Sequence, residues 1–78
     1  MMSRTNRVVG LKQSRKAVRD GLAEYVIIAR DADERVRLPF ERLCAQSGVR
    51  VEYADTCAGL GKACGIDVGA AVAAALKP

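Results

Sequence analysis

Lys12, Arg15, Lys16 and Arg19 stand at positions i, i+3, i+4 and i+7 of one stretch. That spacing lines up side chains along a single face of a helix. Four cations so placed repel one another, and a polyanion lying along the stripe removes that cost. Gly10 stands just ahead of them, so the N–H groups of the first helical turn present the positive end of the helix dipole to a phosphate. Gln13 sits in that turn, and its amide can both donate and accept at a base edge. The competing reading is a solvated basic face with no specific partner.

A second stretch, Leu60 to Ala71, has a different chemistry. Gly61, Gly65 and Gly69 interrupt small and apolar residues, with Lys62 and Asp67 the only charges. Glycine weakens a helix interior, so this run reads as a shaped loop between two regular elements, with Gly61 and Gly65 permitting the turns. Ile66 and Val68, if exposed there, offer an apolar surface for docking. Gly59-Leu60-Gly61 superficially suggests a phosphate loop, but neither a G-x-G-x-x-G nor a Walker A spacing follows.

Catalysis finds little support. The chain has no histidine, which leaves acid–base work to carboxylates such as Asp31, Asp33 and Glu34. Those read more simply as loop residues and helix-start charges. Cys44, Cys57 and Cys64 cannot complete a four-ligand zinc site unless a carboxylate or a second chain joins. Buried reduced thiols are the simpler expectation. No enzyme, no cofactor and no metal is expected.

Seventy-eight residues suit one domain, 1–78, with one modest core. No apolar h-region opens the chain and no run approaches the ~20 residues that a bilayer span needs, so a cytoplasmic protein is expected. Charge is unevenly placed. Residues 1–20 hold six cations and one anion, a net +5, whereas residues 21–78 carry a net −1. That asymmetry favours a polyanionic partner met by one face.

These features need elements to hold them. Val8-Val9 reads as a brief edge strand ending at Gly10. Lys12 to Leu22 reads as a helix burying Leu11, Val18 and Leu22, closed by Gly21. Tyr25 to Ala29 reads as a buried strand. Asp31 to Glu34 reads as a loop, followed by a helix with Pro39 in its first turn that runs to Ser47 and stops at Gly48. Phe40, Leu43 and Cys44 would face the core. Val49 to Tyr53 alternates as a half-buried strand, and Thr56 can cap a short helix through Ala63. Ala70 to Leu76 fits either a strand or a small-residue helix. Tyr25, Phe40 and Tyr53 fall where a core wants them, which disfavours a base-stacking sheet and favours recognition of folded RNA by shape. The order β-α-β-α-β-α-β implies a layered α/β domain with helices on both faces of a small sheet.

Gly10-Leu11-Lys12-Gln13-Ser14-Arg15-Lys16-Ala17 and Leu60-Gly61-Lys62-Ala63-Cys64-Gly65-Ile66-Asp67-Val68, with Ala29-Arg30-Asp31-Ala32-Asp33 between them, resemble the L-seven-Ae ribosomal protein superfamily. The likeness is to its short bacterial members, which bind kink-turn RNA. The resemblance implies a three-layer α-β-α sandwich around a small mixed sheet, and an RNA bent at tandem sheared G·A pairs. It places Gly10, Lys12, Gln13 and Lys16 at those pairs and the adjacent phosphates, with Arg15 adding charge. Ile66, Asp67 and Val68 would meet the bulged nucleotides, Lys62 the backbone, and Asp33 a flipped-out nucleotide. The implied partner is a ribosomal or regulatory RNA, with the ribosome as its setting and neither a membrane nor a small-molecule substrate. Three departures stand out. Lys12-Gln13 replace the Asn-Glu of archaeal and eukaryotic members, Gly69 a frequent proline, and Cys57 a contacting lysine. A protein-interaction module that docks an acidic or helical protein partner is the alternative.

Overall fold

The computed structural model describes residues 7–65 and 69–77. Seven elements follow one another: β1 (Arg7–Val9), α1 (Leu11–Arg19), β2 (Ala23–Ala29), α2 (Glu34–Ser47), β3 (Arg50–Ala54), α3 (Cys57–Ala63) and β4 (Val72–Leu76). The strands form one sheet in the order β1-β4-β2-β3. β2 and β3 are parallel, whereas β4 runs antiparallel to both β1 and β2. The small mixed sheet is therefore as expected, and it fixes the final strand in its centre.

Strand periodicity sorts the core into two halves. Val26 and Ile28 of β2 and Val72 and Ala74 of β4 join Ala17, Val18, Phe40 and Cys44, so α1 and α2 cover one face. Ala29 and Ala73 join Leu60 and Ala70, so α3 covers the other. The three layers are complete. Val26, Ile28, Leu60 and Val72 are almost fully enclosed, and each such side chain stabilises the fold by about 1.5–3 kcal/mol. Ala73 and Ala74 form poor strand residues in isolation, but a central strand under helices on both faces suits small side chains.

Several boundaries differ from expectation, each for a local reason. α1 stops at Arg19 because Asp20 caps its end and Gly21 turns with φ 73°. Leu22 thus lies beyond the helix and is 53% exposed, outside the core. β2 begins at Ala23, and its pairing to β4 skips Glu24, a bulge that turns Ala23 toward the α1–α2 face. α2 begins at Glu34, where the Asp33 carboxylate accepts the Arg35 N–H at 2.8 Å. Pro39 consequently sits inside the helix rather than in its first turn; nothing in the structure explains its presence there. Gly61 lies within α3 and is buried, so it makes no turn, while Gly65 does at φ 81°. Tyr53 is 45% exposed and does not belong to the core, and Tyr25 is only half-buried. Among the described residues no helix is long and apolar enough to cross a membrane.

Candidate nucleic-acid interface

Strand direction brings four chain segments to one end of the sheet. β1, β2 and β3 finish there and β4 begins there. Gly10 opens α1 at that end with φ 104° and ψ 154°, a conformation essentially reserved for glycine. Its N–H donates to the Val72 carbonyl at 2.9 Å, and its own carbonyl accepts from Ser14 N–H at 3.0 Å. The start of α1 is thereby tied to the start of β4.

Further hydrogen bonds continue the stitching. Ala29 N–H donates to Ala71 at 2.9 Å, and Ala70 N–H donates to the Cys57 carbonyl at 3.0 Å. Cys57 N–H in turn donates to Asp31 Oδ1 at 2.7 Å. The loop after β2, the first residue of α3, the segment before β4 and the start of α1 form one connected rim. Asp31 is the side chain that closes it, so this carboxylate positions the loops rather than merely occupying one. Its backbone neighbours gave no sign of that role; the partner lies 26 residues away.

Electrostatics agree with this geometry. The thiol and N–H of Cys57 stabilise the Asp31 carboxylate and hold its pKa below the ordinary value. The same hydrogen bond, with burial and the Asp31 charge, pushes the Cys57 thiol up. Cys44 is also raised, by burial first and by Glu41 second. All three cysteines are free. Cys57 and Cys64 are half-buried rather than enclosed, unlike Cys44.

Along α1, Lys12, Gln13, Arg15, Lys16 and Arg19 are all exposed, whereas Ser14, Ala17 and Val18 are buried. The helix therefore divides cleanly into a charged face and a core face. No side chain caps its start, and its first turn holds no acid. The dipole end stays open to an anion. Lys62 is exposed in the last turn of α3, the helix whose first residue, Cys57, belongs to the rim. Asp33 is exposed, and one of its oxygens is occupied as the α2 cap. Ile66, Asp67 and Val68 lie outside the described residues.

Gly69 has a steric reason beyond flexibility. A Cβ there would stand 3.2 Å from the Cys57 carbonyl carbon and 3.3 Å from the Cys57 Cβ. The segment before β4 thus presses on the start of α3 so closely that a side chain there would push the Cys57 backbone back by a few tenths of an ångström. At the same end of β2 and β3, Arg30, Arg37, Glu41 and Tyr53 form a second polar cluster that the spacing arguments missed. Arg30 lies 5.5 Å over the Tyr53 ring, the Tyr53 hydroxyl donates to Glu41, and Arg37 pairs with Glu41 at 3.7 Å. Among the described residues no cluster of metal-ligating side chains occurs.

An α-β-α sandwich that gathers a cationic, uncapped helix start and three loops on one rim defines a binding protein for an extended anionic surface. The whole chain, residues 1–78, matches the model of the ribosomal protein L7Ae/L30e/S12e/Gadd45 family. The chain belongs to that family. It is 48% identical over 68 residues to an RNA-binding protein of Caldanaerobacter subterraneus subsp. tengcongensis, covering 87% of this chain and 83% of that protein. It is 42% identical over 73 residues to an RNA-binding protein of Halalkalibacterium halodurans, covering 94% and 89%. The 15.5kD RNA binding protein of Giardia lamblia superposes with a TM-score of 0.87 at 33% identity, covering 95% of this chain and 62% of that one.

Proposed function

We propose that this chain is a non-catalytic RNA-binding protein of the cytoplasm that recognises and stabilises kink-turn RNA, associated with the ribosome or with a structured regulatory RNA. The observation that carries the reading is the open start of α1. There a glycine of positive φ, an uncapped helix end and four exposed polar or cationic side chains (Lys12, Gln13, Arg15 and Lys16) share one rim. The family membership and the names of its bacterial relatives support an RNA ligand. Single domain organisation over 1–78 accords with the span of the family match.

In this mechanism the protein binds the kinked conformation more tightly than the extended one and so shifts the RNA toward it. Lys12, Arg15, Lys16 and Lys62 neutralise phosphates. Gln13 reads the edges of the G·A pairs, and Ile66, Asp67 and Val68 meet the bulged nucleotides, with Asp33 at a flipped-out base. Phosphate contacts set register, whereas base contacts supply discrimination.

Titration with a kink-turn duplex, and with the same duplex carrying Watson–Crick pairs at the G·A steps, tests this directly. Preference for the kink-turn is expected; equal affinity for both, or none for either, overturns the reading. Gln13→Ala should erase the preference, losing about 1–3 kcal/mol of discrimination. Arg19→Ala should instead weaken both complexes by similar factors. Identical behaviour of the two variants contradicts the assigned roles.

A further inference from the structure

The sheet has two open edges, and they are protected unequally. β1 is only three residues long, and very short edge strands offer little to pair with. β3 runs for five residues, Arg50–Ala54, and pairs on one side only, with β2. The Arg30 N–H donates to the Ala54 carbonyl at 2.8 Å, so Arg50, Glu52 and Ala54 turn their backbone groups toward β2. By the alternation of the ladder, Val51 and Tyr53 turn theirs outward. Among the described residues no loop or side chain bonds to those outward groups. Natural edges are ordinarily blunted by a proline, a bulge or a lysine. β3 contains neither proline nor lysine, and its register against β2 is unbroken.

The side chains of this edge are complementary to themselves. Arg50 and Glu52 lie on the α3 face of the sheet, opposite Tyr25 and Ile27 of β2. They are well exposed and pair with each other at 3.1 Å. Arg50 also lies 5.0 Å over the Tyr25 ring, which keeps its guanidinium beside the strand. On the other face Val51 is half-buried, and Tyr53 stands largely uncovered. A cation and an anion two residues apart meet their opposites when the strand is turned end for end about Val51. Turning it about Glu52 would instead set two carboxylates against each other, which destabilises a strand pair.

We propose that β3 pairs antiparallel with β3 of a second copy of this chain, about a two-fold axis at Val51, joining two four-stranded sheets into one. Val51 exchanges both N–H···O bonds with Val51 of the second copy, and the Tyr53 N–H donates to the Val49 carbonyl across the axis. Arg50 then stands opposite Glu52 of the second copy in a non-hydrogen-bonded pair, where side chains approach most closely. Because the axis reverses strand direction, the α1 rims of the two copies point toward opposite ends of the joint sheet. So short an edge buries little area, and the dimer is accordingly weak, with a dissociation constant of about 10–100 µM. The pairing does not rest on the kink-turn reading.

Sedimentation equilibrium of the full chain over about 5–500 µM tests it. A reversible monomer–dimer equilibrium is expected, weakening as salt is added. Arg50→Glu and Glu52→Arg, both at exposed positions, each oppose like charges across the axis and should each weaken self-association about tenfold or more. An equimolar mixture of the two variants should recover it, because the carboxylates of one then face the guanidiniums of the other. Amide hydrogen exchange of the parent chain should slow at Val51 and Tyr53 as concentration rises, and stay constant at Val9 on the β1 edge. The proposal is overturned if the parent is monomeric throughout, or if either variant alone dimerises like the parent. It is equally overturned if the mixture stays monomeric while both variants unfold at the parent's temperature, or if the protection appears at Val9 instead.

Discussion

Asp31 and Cys57 hold each other in the protonation states that the rim needs. The carboxylate accepts from the Cys57 backbone and thiol, so its pKa falls, while the thiol's rises. A group with a lowered folded pKa stabilises the fold above its unfolded value and loses that contribution as pH falls through the folded one. Asp31 therefore contributes at neutral pH and is lost only in strong acid, below the ordinary value of 3.8. The thiol has the opposite sense: its contribution is present below its ordinary 9.0 and disappears as pH rises beyond the raised value. Asp31→Asn keeps an acceptor for the backbone N–H but removes the charge. Alkylation of Cys57, followed by peptide mass spectrometry against pH, should then shift toward lower pH than in the parent chain. An unchanged profile would remove Asp31 from the control of this thiol. Tyr53 is raised as well, chiefly by its bond to Glu41 and then by burial and the Glu41 charge, so that contact also persists through neutral pH.

Helix α1 carries two local costs with different reasons, and substitutions should separate them. Gly10 adopts φ 104° with nothing within 4 Å of where a Cβ would stand. Gly10→Ala is therefore disfavoured by backbone conformation alone and should destabilise by about 1–3 kcal/mol. Ser14 is fully buried, and its hydroxyl has no partner. Ser14→Ala removes an unpaired polar atom from the core and should stabilise by about 1 kcal/mol. Urea unfolding of both variants checks the opposite signs, and a destabilised Ser14→Ala would mean that the hydroxyl is in fact satisfied. The basic stripe of this helix was legible because a period of 3.6 needs only local spacing, and so were the Thr56 cap and the Gly48 stop. The start of α2 was not. Pro39 suggested a first turn, but the Asp33 carboxylate caps the helix six residues earlier. Ala70 to Leu76 was undecided because its small side chains fit either element; pairing on both sides settles it as the central strand. Tyr53 misled because alternation reports which sheet face a residue takes, not whether a helix reaches far enough to cover it.

At the scale of the molecule, placement of charge matters more than its amount. The chain holds 13 cations, and if all met RNA phosphates the salt dependence would be very steep, a logarithmic slope of about −12. The fold argues otherwise. Arg37 faces Glu41, and Arg50 pairs with Glu52 at 3.1 Å while lying over Tyr25. The proposed interface uses Lys12, Arg15, Lys16 and Lys62 with Arg19 at its margin, which should give a slope of about −4 to −5. Affinity for the kink-turn duplex measured across a salt series decides between these. Lys62→Ala should flatten the slope by about one unit, whereas Arg50→Ala should leave it unchanged. A slope near zero would remove phosphate contact from the mechanism. A value well beyond −6 or so would mean that the RNA wraps past the rim and onto faces that the sandwich turns away from it.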